Sequence, residues 1–219
     1  MHFQFMVEDQ SGAMLVKSIM SKGSFIKDGV TYDCKYFKGL GGFTPKNTTQ
    51  ETKTGKLLND LATYLRGFNK SLSGLGEKAA IFIVLDNDTK NTETFKKELH
   101  NVAERNNITV DHVFCIAVEE MEAWLLGDEK ALKEAYPLAK MNILQTYQQD
   151  SICGTWEKLA DIIYKGGIKQ MKKDCSSYAE IGKIKCEWAE KIGQYMVLEN
   201  NKSPSFKYFI QELNKRLTV

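Results

Sequence analysis

The feature that most constrains the fold is an apolar run that ends abruptly in acidic residues. Every position from Ala79 to Leu85 is apolar, and Asp86-Asn87-Asp88 follows at once. A strand with one face in water alternates apolar and polar residues, whereas a central strand of a parallel sheet, covered by helices on both faces, is apolar throughout. The run is far shorter than the ~20 residues needed to span a bilayer. It therefore predicts the central strand of an α/β domain.

The segments around this run alternate between strand and helix patterns. Short apolar stretches predict three further strands, and apolar side chains at three- and four-residue steps predict helices between them. The predicted strands are Phe3–Val7, Thr31–Phe37 and Thr109–Val118, and the predicted helices are Ala13–Met20, Lys56–Phe68, Thr92–Asn106, Glu119–Leu126 and a short helix from Asp128 to Tyr136. This alternation indicates a mainly parallel central sheet flanked by helices, an α/β domain over residues 1–139.

The rest of the chain, residues 140–219, has helical patterns only. Apolar stripes predict helices at Thr155–Tyr164, Tyr178–Leu198 and Ser205–Leu217, and such stripes need a surface to pack against. No linker rich in Pro, Gly or Ser separates this part from Tyr136. We therefore expect a helical C-terminal extension that packs as a cap on the α/β domain.

Composition excludes several classes of protein. Apolar residues make up 42% and charged residues 26% of the chain, which is ordinary for a globular protein and excludes a disordered or fibrous one. The N-terminal residues lack the basic and apolar regions of a signal peptide. The five cysteines include no C-x-x-C pair, so free, mostly buried thiols are expected instead of disulfides or a zinc site. These features predict a cytoplasmic protein with no membrane partner.

The charge distribution leaves two interpretations open. The net charge is +2, but residues 140–219 carry 13 Lys and Arg against 9 Asp and Glu. Basic residues beside an acidic N-terminal part fit nucleic acid lying across a metal site, and a solvated helical surface gives the same count. The lysines that could follow a nucleic-acid backbone are Lys169, Lys172, Lys173, Lys183 and Lys185.

Acidic residues follow three of the predicted strands. They are Glu8 after the first, Asp86 and Asp88 after the central one, and Glu119, Glu120 and Glu122 after the last. In an open α/β sheet, ligands bind beyond the carboxyl ends of the strands. Oxygen ligands from separate strands suit Mg²⁺ or Mn²⁺. The alternative is structural, since Asp and Asn are common in turns and Glu is favoured at helix starts.

Backbone geometry sorts these acids further. Alternation along an extended chain places Asp86 and Asp88 on the same side, facing one ion. At 100° per residue, Glu120 and Glu122 cannot share one narrow helix face, so one is expected at the metal site and the other as a cap or the partner of a cation. Trp124 in the same segment is expected in the core.

Two groups of residues resemble known families. Val7-Glu8-Asp9-Gln10-Ser11 and Leu85-Asp86-Asn87-Asp88, with acids after the next strand, resemble the topoisomerase–primase (TOPRIM) metal-binding pattern. The segment from Ile116 to Asp128, which contains Glu-Met-Glu-Ala-Trp-Leu-Leu-Gly-Asp, is similar to a signature of a bacterial TOPRIM-like family of unknown function. Lys183–Ala189 and Asn200–Phe206 resemble the C-terminal part of that family.

This resemblance implies a TOPRIM-like sheet that binds a divalent ion. The family pattern makes Glu8 a general acid/base or a ligand, and makes Asp86 and Asp88 the pair that holds Mg²⁺ during phosphodiester chemistry. Similar members often look like parts of bacterial anti-phage or mobile-element modules. The sequence departs from the pattern at Asp9, which stands where the usual pattern has glycine.

The function we expect is that of a divalent-metal-dependent nuclease acting on DNA or RNA. Glu8, Asp86, Asp88, Glu120 and Glu122 would be the metal ligands, and Lys38 in a glycine-rich loop, with Lys90 next, is the candidate cation for the scissile phosphate. The loop lacks the G-x-x-x-x-G-K-[ST] spacing of a phosphate-binding P-loop. The alternative is a non-catalytic or partner-dependent subunit that binds nucleic acid or a partner ATPase encoded nearby.

Overall fold

A computed structural model describes residues 1–43 and 55–217 of the chain. A parallel sheet of four strands in the order β2-β1-β3-β4 forms its centre. The strands are β1 (His2–Val7), β2 (Thr31–Tyr36), β3 (Ala79–Asp86) and β4 (Asp111–Ala117). The mixed α/β class and the parallel central sheet predicted from the sequence are thus confirmed.

The strand order reverses direction at β1. The first crossover places β2 on one side of β1, and the second places β3 on its other side, in register from His2↔Ala79 to Val7↔Val84. In open parallel sheets, such a reversal opens a crevice beyond the carboxyl ends of the two central strands. Here that crevice lies between the ends of β1 and β3.

Helices cover both faces of the sheet. α2 and α3 lie over one face, and the helices of the other face include α1, α9 and α10. The helices are α1 (Gln10–Met20), α2 (Leu57–Leu72), α3 (Thr92–Arg105), α4 (Glu122–Leu126), α5 (Glu129–Ala135), α6 (Met141–Leu144), α7 (Thr155–Ile163), α8 (Gly167–Asp174), α9 (Tyr178–Tyr195) and α10 (Pro204–Leu217), and short 3-10 turns occur at Gly23–Ile26, Ser73–Lys78 and Leu198–Asn200.

The pleat of β3 decides which way its last residue points. Phe82 and Val84 pack in the core beneath α1 and α9, whereas Ile83 and Leu85 pack in the core beneath α2 and α3. Because successive side chains of a strand point to opposite faces, Asp86 continues the row of Phe82 and Val84. Its carboxyl group therefore lies on the face that the C-terminal helices cover.

The C-terminal helices share the core of that face. α9 packs along α1 and against α5, and α10 packs on β4. The ring of Phe209 stacks on Trp124 with centroids 5.0 Å apart and meets the edge of Phe82 at 6.0 Å. Within the segment 140–217, α10 therefore packs on the sheet and α9 packs on helices of the α/β part, while the division at residue 139 stays a prediction.

Several predicted bounds differ from the structure for local reasons. The helix predicted from Glu119 begins at Glu122, because Glu119 has a positive φ of 62° that a right-handed helix does not admit. α3 begins at Thr92 as predicted, and Asn91 caps it, since its side chain accepts from the N–H of Thr94. Helices α6 and α8 were not predicted.

Other sequence predictions fall partly outside the described residues or need adjustment. The end of the predicted glycine-rich loop, Thr44 and Pro45, and the polar stretch to Thr54 lie outside them. All five cysteines are free, as expected, but only Cys115 is fully buried. Within residues 1–43 and 55–217, no helix combines the length and the apolar character needed to cross a membrane.

Candidate metal site

Glu8 and Asp86 meet in the crevice between β1 and β3. The backbone N–H of Glu8 donates to the carbonyl of Val84 at 3.1 Å, which continues the ladder one residue beyond β1. The backbone N–H of Asp86 in turn donates to Glu8 Oε2 at 3.0 Å. The two strand ends thus bring Glu8 and Asp86 together, with the Glu8 carboxyl group against the backbone of Asp86.

A third carboxyl group and a lysine complete the cluster. Glu122 opens α4 and is 2% exposed, and its Oε1 lies 3.2 Å from the Nζ of Lys185. Lys185 comes from α9, in the C-terminal extension, and its side chain is 17% exposed. Because it lies where the strand order of the sheet reverses, we call the group of Glu8, Asp86, Glu122 and Lys185 the switch-point cluster. It joins the sheet to the extension through charged groups.

Burial and mutual repulsion raise the pKa values of the acids in the switch-point cluster. Burial raises the pKa of Asp86 well above its usual value, and the negative charges of Glu8 and Glu122 add to the effect. Burial raises the pKa of Glu8 to about 7, against the hydrogen bond from the N–H of Asp86, which lowers it. The surroundings of the cluster therefore disfavour the ionised forms of these acids.

Lys185 partly offsets this negative charge. Burial would lower the pKa of its ammonium group, but the carboxylates of Glu122, Glu120 and Asp86 outweigh burial and raise it. Lys185 in turn lowers the pKa of Glu122, which burial holds above its usual value. One ammonium group thus faces several carboxyl groups, so the cluster has fewer positive charges than acidic groups.

The carboxyl groups of the cluster include two buried oxygen atoms that have no partner in the described part of the chain. Asp86 Oδ1 and Glu122 Oε2 are buried, and neither has a hydrogen-bond partner among the described residues. Buried polar atoms are nearly always paired, so two such oxygens in one cluster need an explanation. Carboxylate oxygens are the ligands that Mg²⁺ and Mn²⁺ prefer. Across residues 1–43 and 55–217, however, no three His, Cys, Asp or Glu side chains are already arranged around one ion position.

Comparison with known proteins gives a family but no function. A family model described as a domain of unknown function, DUF4276, matches residues 13–214. The chain belongs to the DUF4276 family. Comparison with the curated proteins and with the solved structures gave no match.

In this DUF4276 chain, Glu119 and Glu120 accept hydrogen bonds from backbone N–H groups at the start of α7. Glu119 accepts hydrogen bonds from the backbone N–H groups of Cys153 (3.0 Å), Gly154 (2.8 Å) and Thr155 (2.9 Å) and from the Thr155 hydroxyl. These bonds lower the pKa of Glu119 against the effect of burial. The carboxylate therefore caps α7, the structural role that the sequence left open.

Glu120 shares this role while remaining close to the cluster. Its Oε2 accepts from the backbone N–H of Trp156 at 2.9 Å, one residue further along α7. Burial, followed by the charge of Glu122, raises the pKa of Glu120 to about 7. Of the two glutamates predicted as ligands on this segment, Glu122 thus pairs with a cation and Glu120 caps a helix.

Asp88 and the predicted phosphate-binding lysines lie at the rim of the crevice. Strand geometry ends at Asp86, and Asp88 has a φ of 50°, so strand alternation does not extend to it. Its Oδ2 pairs with Lys90 Nζ at 3.1 Å, and its charge contributes to the raised pKa of Glu8. Lys38 is exposed, and the next residue, Gly39, donates its N–H to the carbonyl of Glu8 at 3.0 Å.

Asp9, the residue that departs from the TOPRIM pattern, caps α1. Its Oδ1 accepts from the N–H of Gly12 at 2.8 Å and from the Ser11 hydroxyl at 2.9 Å. A Cβ atom at Gly12 would lie 2.8 Å from Val7 Cγ1, so glycine is needed where α1 leaves the strand end. The extra acid therefore has a structural role beside the cluster.

Trp124 and Asp128 of the signature segment have structural roles. Trp124 is fully buried, as expected, and its backbone carbonyl accepts from Asn201 Nδ2 at 2.7 Å. Asp128 caps α5 through the N–H of Ala131 at 3.0 Å, and its other oxygen accepts from the N–H of Val197 at 2.9 Å. These bonds fasten α4 and α5 to the chain that precedes α10.

Lys185 is the residue of the cluster whose place the sequence analysis missed. The charge distribution groups Lys185 with the lysines of a nucleic-acid surface. Lys185 nevertheless shares a helix face with Ala189 and Ile192, which are buried. A lysine inside an apolar stripe was the available signal. Buried lysines are rare unless paired, so that position already calls for an acidic partner.

Proposed function

We propose that this chain is a divalent-metal-dependent phosphodiester hydrolase that acts on nucleic acid, with its centre at the switch-point cluster. Two buried oxygens without a hydrogen-bond partner among the described residues carry the proposal: Asp86 Oδ1, where Glu8 meets Asp86, and Glu122 Oε2, which belongs to a carboxyl group whose charge acts on Asp86. Excess buried carboxylate is costly unless a cation neutralises it. The position of the crevice is that at which α/β sheets bind ligands.

Each acidic or basic side chain at the site has its own role in the proposed reaction. Asp86 and Glu122 would hold Mg²⁺ or Mn²⁺, which supplies positive charge to the phosphate and acidifies a water molecule. Glu8, whose carboxyl group lies against the backbone of Asp86, would accept the proton of the attacking water as general base. Asp88 and Glu120 lie at the rim and would complete the shell of a second ion. Lys38, whose neighbour Gly39 donates to the carbonyl of Glu8, is the candidate cation for the phosphate.

Nucleic acid as the substrate class is supported by two features of the sequence. The order of Glu8 after β1 and of Asp86 and Asp88 after β3 resembles the TOPRIM pattern, whose members act on phosphodiesters. Lys169 and Lys173 are exposed on α8, where they can contact a polyanion. Neither feature distinguishes DNA from RNA.

A cleavage assay tests the proposal directly. Single-stranded DNA, duplex DNA and RNA are incubated with the protein and Mg²⁺ or Mn²⁺, with and without EDTA. We expect cleavage that needs the divalent ion and that Asp86→Asn abolishes, because the amide removes a charged ligand. Asp28→Asn, which neutralises an exposed aspartate, is the matched control and should cleave as the wild type does.

The stability of Asp86→Asn shows which role the residue has. The neutral amide relieves repulsion with Glu8 and Glu122, so the melting temperature without metal should hold or rise. A variant that unfolds would make Asp86 a structural residue. A folded variant that still cleaves would place the catalytic centre elsewhere.

A non-catalytic or partner-dependent subunit is the second candidate. It is favoured by the partners that the acids already have, since Glu122 pairs with Lys185 and Glu120 accepts from Trp156. A partner that binds beside α9 and changes the rotamer of Lys185 would change the first of these contacts. Binding of Mn²⁺ or of nucleic acid without cleavage, followed by cleavage once a cell extract is added, would favour this candidate.

A further inference from the structure

Lys185 has surroundings that a surface lysine does not have. Its Nζ lies 3.2 Å from Glu122 Oε1, and the negative charges of Glu120, Asp86 and Asp9 also act on it. The other oxygen of the same carboxyl group, Glu122 Oε2, is buried and has no hydrogen-bond partner among the described residues. One carboxylate therefore has one oxygen against an ammonium group and the other buried without a partner among the described residues.

The helix that carries Lys185 is held firmly in place. α9 packs along α1 and against α5, and Trp188 and Ile192 are buried in the core beneath it. α9 and α1 are in close contact at Gly193, where a Cβ would lie 2.8 Å from Ser18 Oγ. The backbone of Lys185 is thus fixed, and its ammonium group can leave Glu122 only by a change of side-chain rotamer.

We propose that Lys185 is an internal counter-cation that competes with a divalent ion for Glu122 and so sets the affinity of the site. This inference rests on the proposed function, since it needs the switch-point cluster to bind a divalent cation. Two cations that share one carboxylate repel each other, and in a buried setting this repulsion is strong. Without a divalent ion, the ammonium group stabilises acids that would otherwise be buried and unpaired.

The experiment compares Lys185→Met with Lys183→Met, a control that removes an exposed lysine from the same helix. Mn²⁺ binding is measured by calorimetry, and the melting temperature with and without Mn²⁺ by scanning fluorimetry. Lys185→Met should bind Mn²⁺ at least about tenfold more tightly than the wild type, because a nearby positive charge is gone. Without Mn²⁺ it should melt at least about 5 °C lower, because Glu122 has lost its partner.

The rise in melting temperature on adding Mn²⁺ should therefore be larger in Lys185→Met than in the wild type. Lys183→Met should match the wild type in both measurements. Lys185→Gln, which keeps a hydrogen-bond donor for Glu122 but no charge, provides the test if Lys185→Met does not fold. It should also tighten Mn²⁺ binding.

The remaining outcomes separate this inference from the proposed function. Mn²⁺ affinity in the neutral variants that equals or falls below that of the wild type overturns the competition. Tight binding in the variants with none in the wild type supports the competition and removes the proposed metal-dependent activity of the wild type. Absence of binding in all of these proteins overturns both.

Discussion

Neighbouring glutamates in one short segment have different partners. Glu119 accepts from three backbone N–H groups at the start of α7, whereas Glu122 faces the ammonium group of Lys185. The positive φ of Glu119 turns the chain between them, so that the two carboxyl groups point to different parts of the molecule. Identical side chains therefore serve a helix start in one case and a charged cluster in the other.

Glu119→Gln should destabilise the protein and leave Mn²⁺ binding unchanged. The amide of glutamine places N–H donors against the N–H groups of α7, so at least one hydrogen bond to a charged acceptor is lost. We expect a loss of about 1–3 kcal/mol in the free energy of unfolding, measured by urea denaturation. Weaker Mn²⁺ binding at unchanged stability would instead assign Glu119 to the metal site.

At this scale, the sequence predicted the meeting of Glu8 and Asp86 but not the place of Lys185. Parallel strands end at the same edge of a sheet, so two acids after adjacent strands have to lie close together. Lys185 reaches the same point from a helix far along the chain, and no local pattern specifies how α9 docks. Only the lysine's place in an apolar stripe indicated that it is buried.

At the scale of the element, apolar patterns predicted the strand bounds to within two residues and most helix starts to within one, whereas α1 and α4 begin three residues from their predicted starts. β3 is bounded by the change from Leu85 to the polar Asp86-Asn87-Asp88, which composition makes plain. The start of α4 depends on the positive φ of Glu119. The backbone N–H of Glu119 donates to Asn87 Oδ1, and this hydrogen bond stabilises that conformation. Such a long-range contact leaves no periodic signal.

Gly127→Ala should loosen the junction between α4, α5 and the chain before α10. A Cβ at this position would lie 2.0 Å from Asn201 Oδ1. The amide of Asn201 cannot move aside freely, since it is buried, donates to the carbonyl of Trp124 and accepts from the N–H of Ser203. We expect a loss of about 1–3 kcal/mol in the free energy of unfolding from this overpacking.

Gly182→Ala is the matched control for this substitution. Gly182 lies within α9, and nothing stands within 4 Å of the Cβ that alanine would add. Alanine is the better helix former, so this variant should be more stable than the wild type by about 0.5–1 kcal/mol. Equal effects of the two substitutions in chemical denaturation would contradict the packing at Asn201.

At the scale of the whole molecule, the helical extension and the sheet share one apolar core. Phe209 of α10 is fully buried between Trp124 of α4 and two aromatic residues of the sheet, Phe5 and Phe82. The charged contact between Lys185 and Glu122 joins the same two parts at the edge of the sheet. We infer that the site and the core depend on the same docking of the extension.

Phe209→Ala should therefore destabilise the entire chain and not the extension alone. Truncating a fully buried phenylalanine costs about 3–5 kcal/mol, and the loss should appear equally in β3 and in α9. Hydrogen exchange followed by mass spectrometry at increasing urea reports both segments.

Tyr178→Ala, at a position that is 91% exposed, should change stability by less than about 0.5 kcal/mol. If α9 and α10 lose protection at a lower urea concentration than β3, the extension is a separate folding unit, and the switch-point cluster would lose Lys185 before the sheet unfolds.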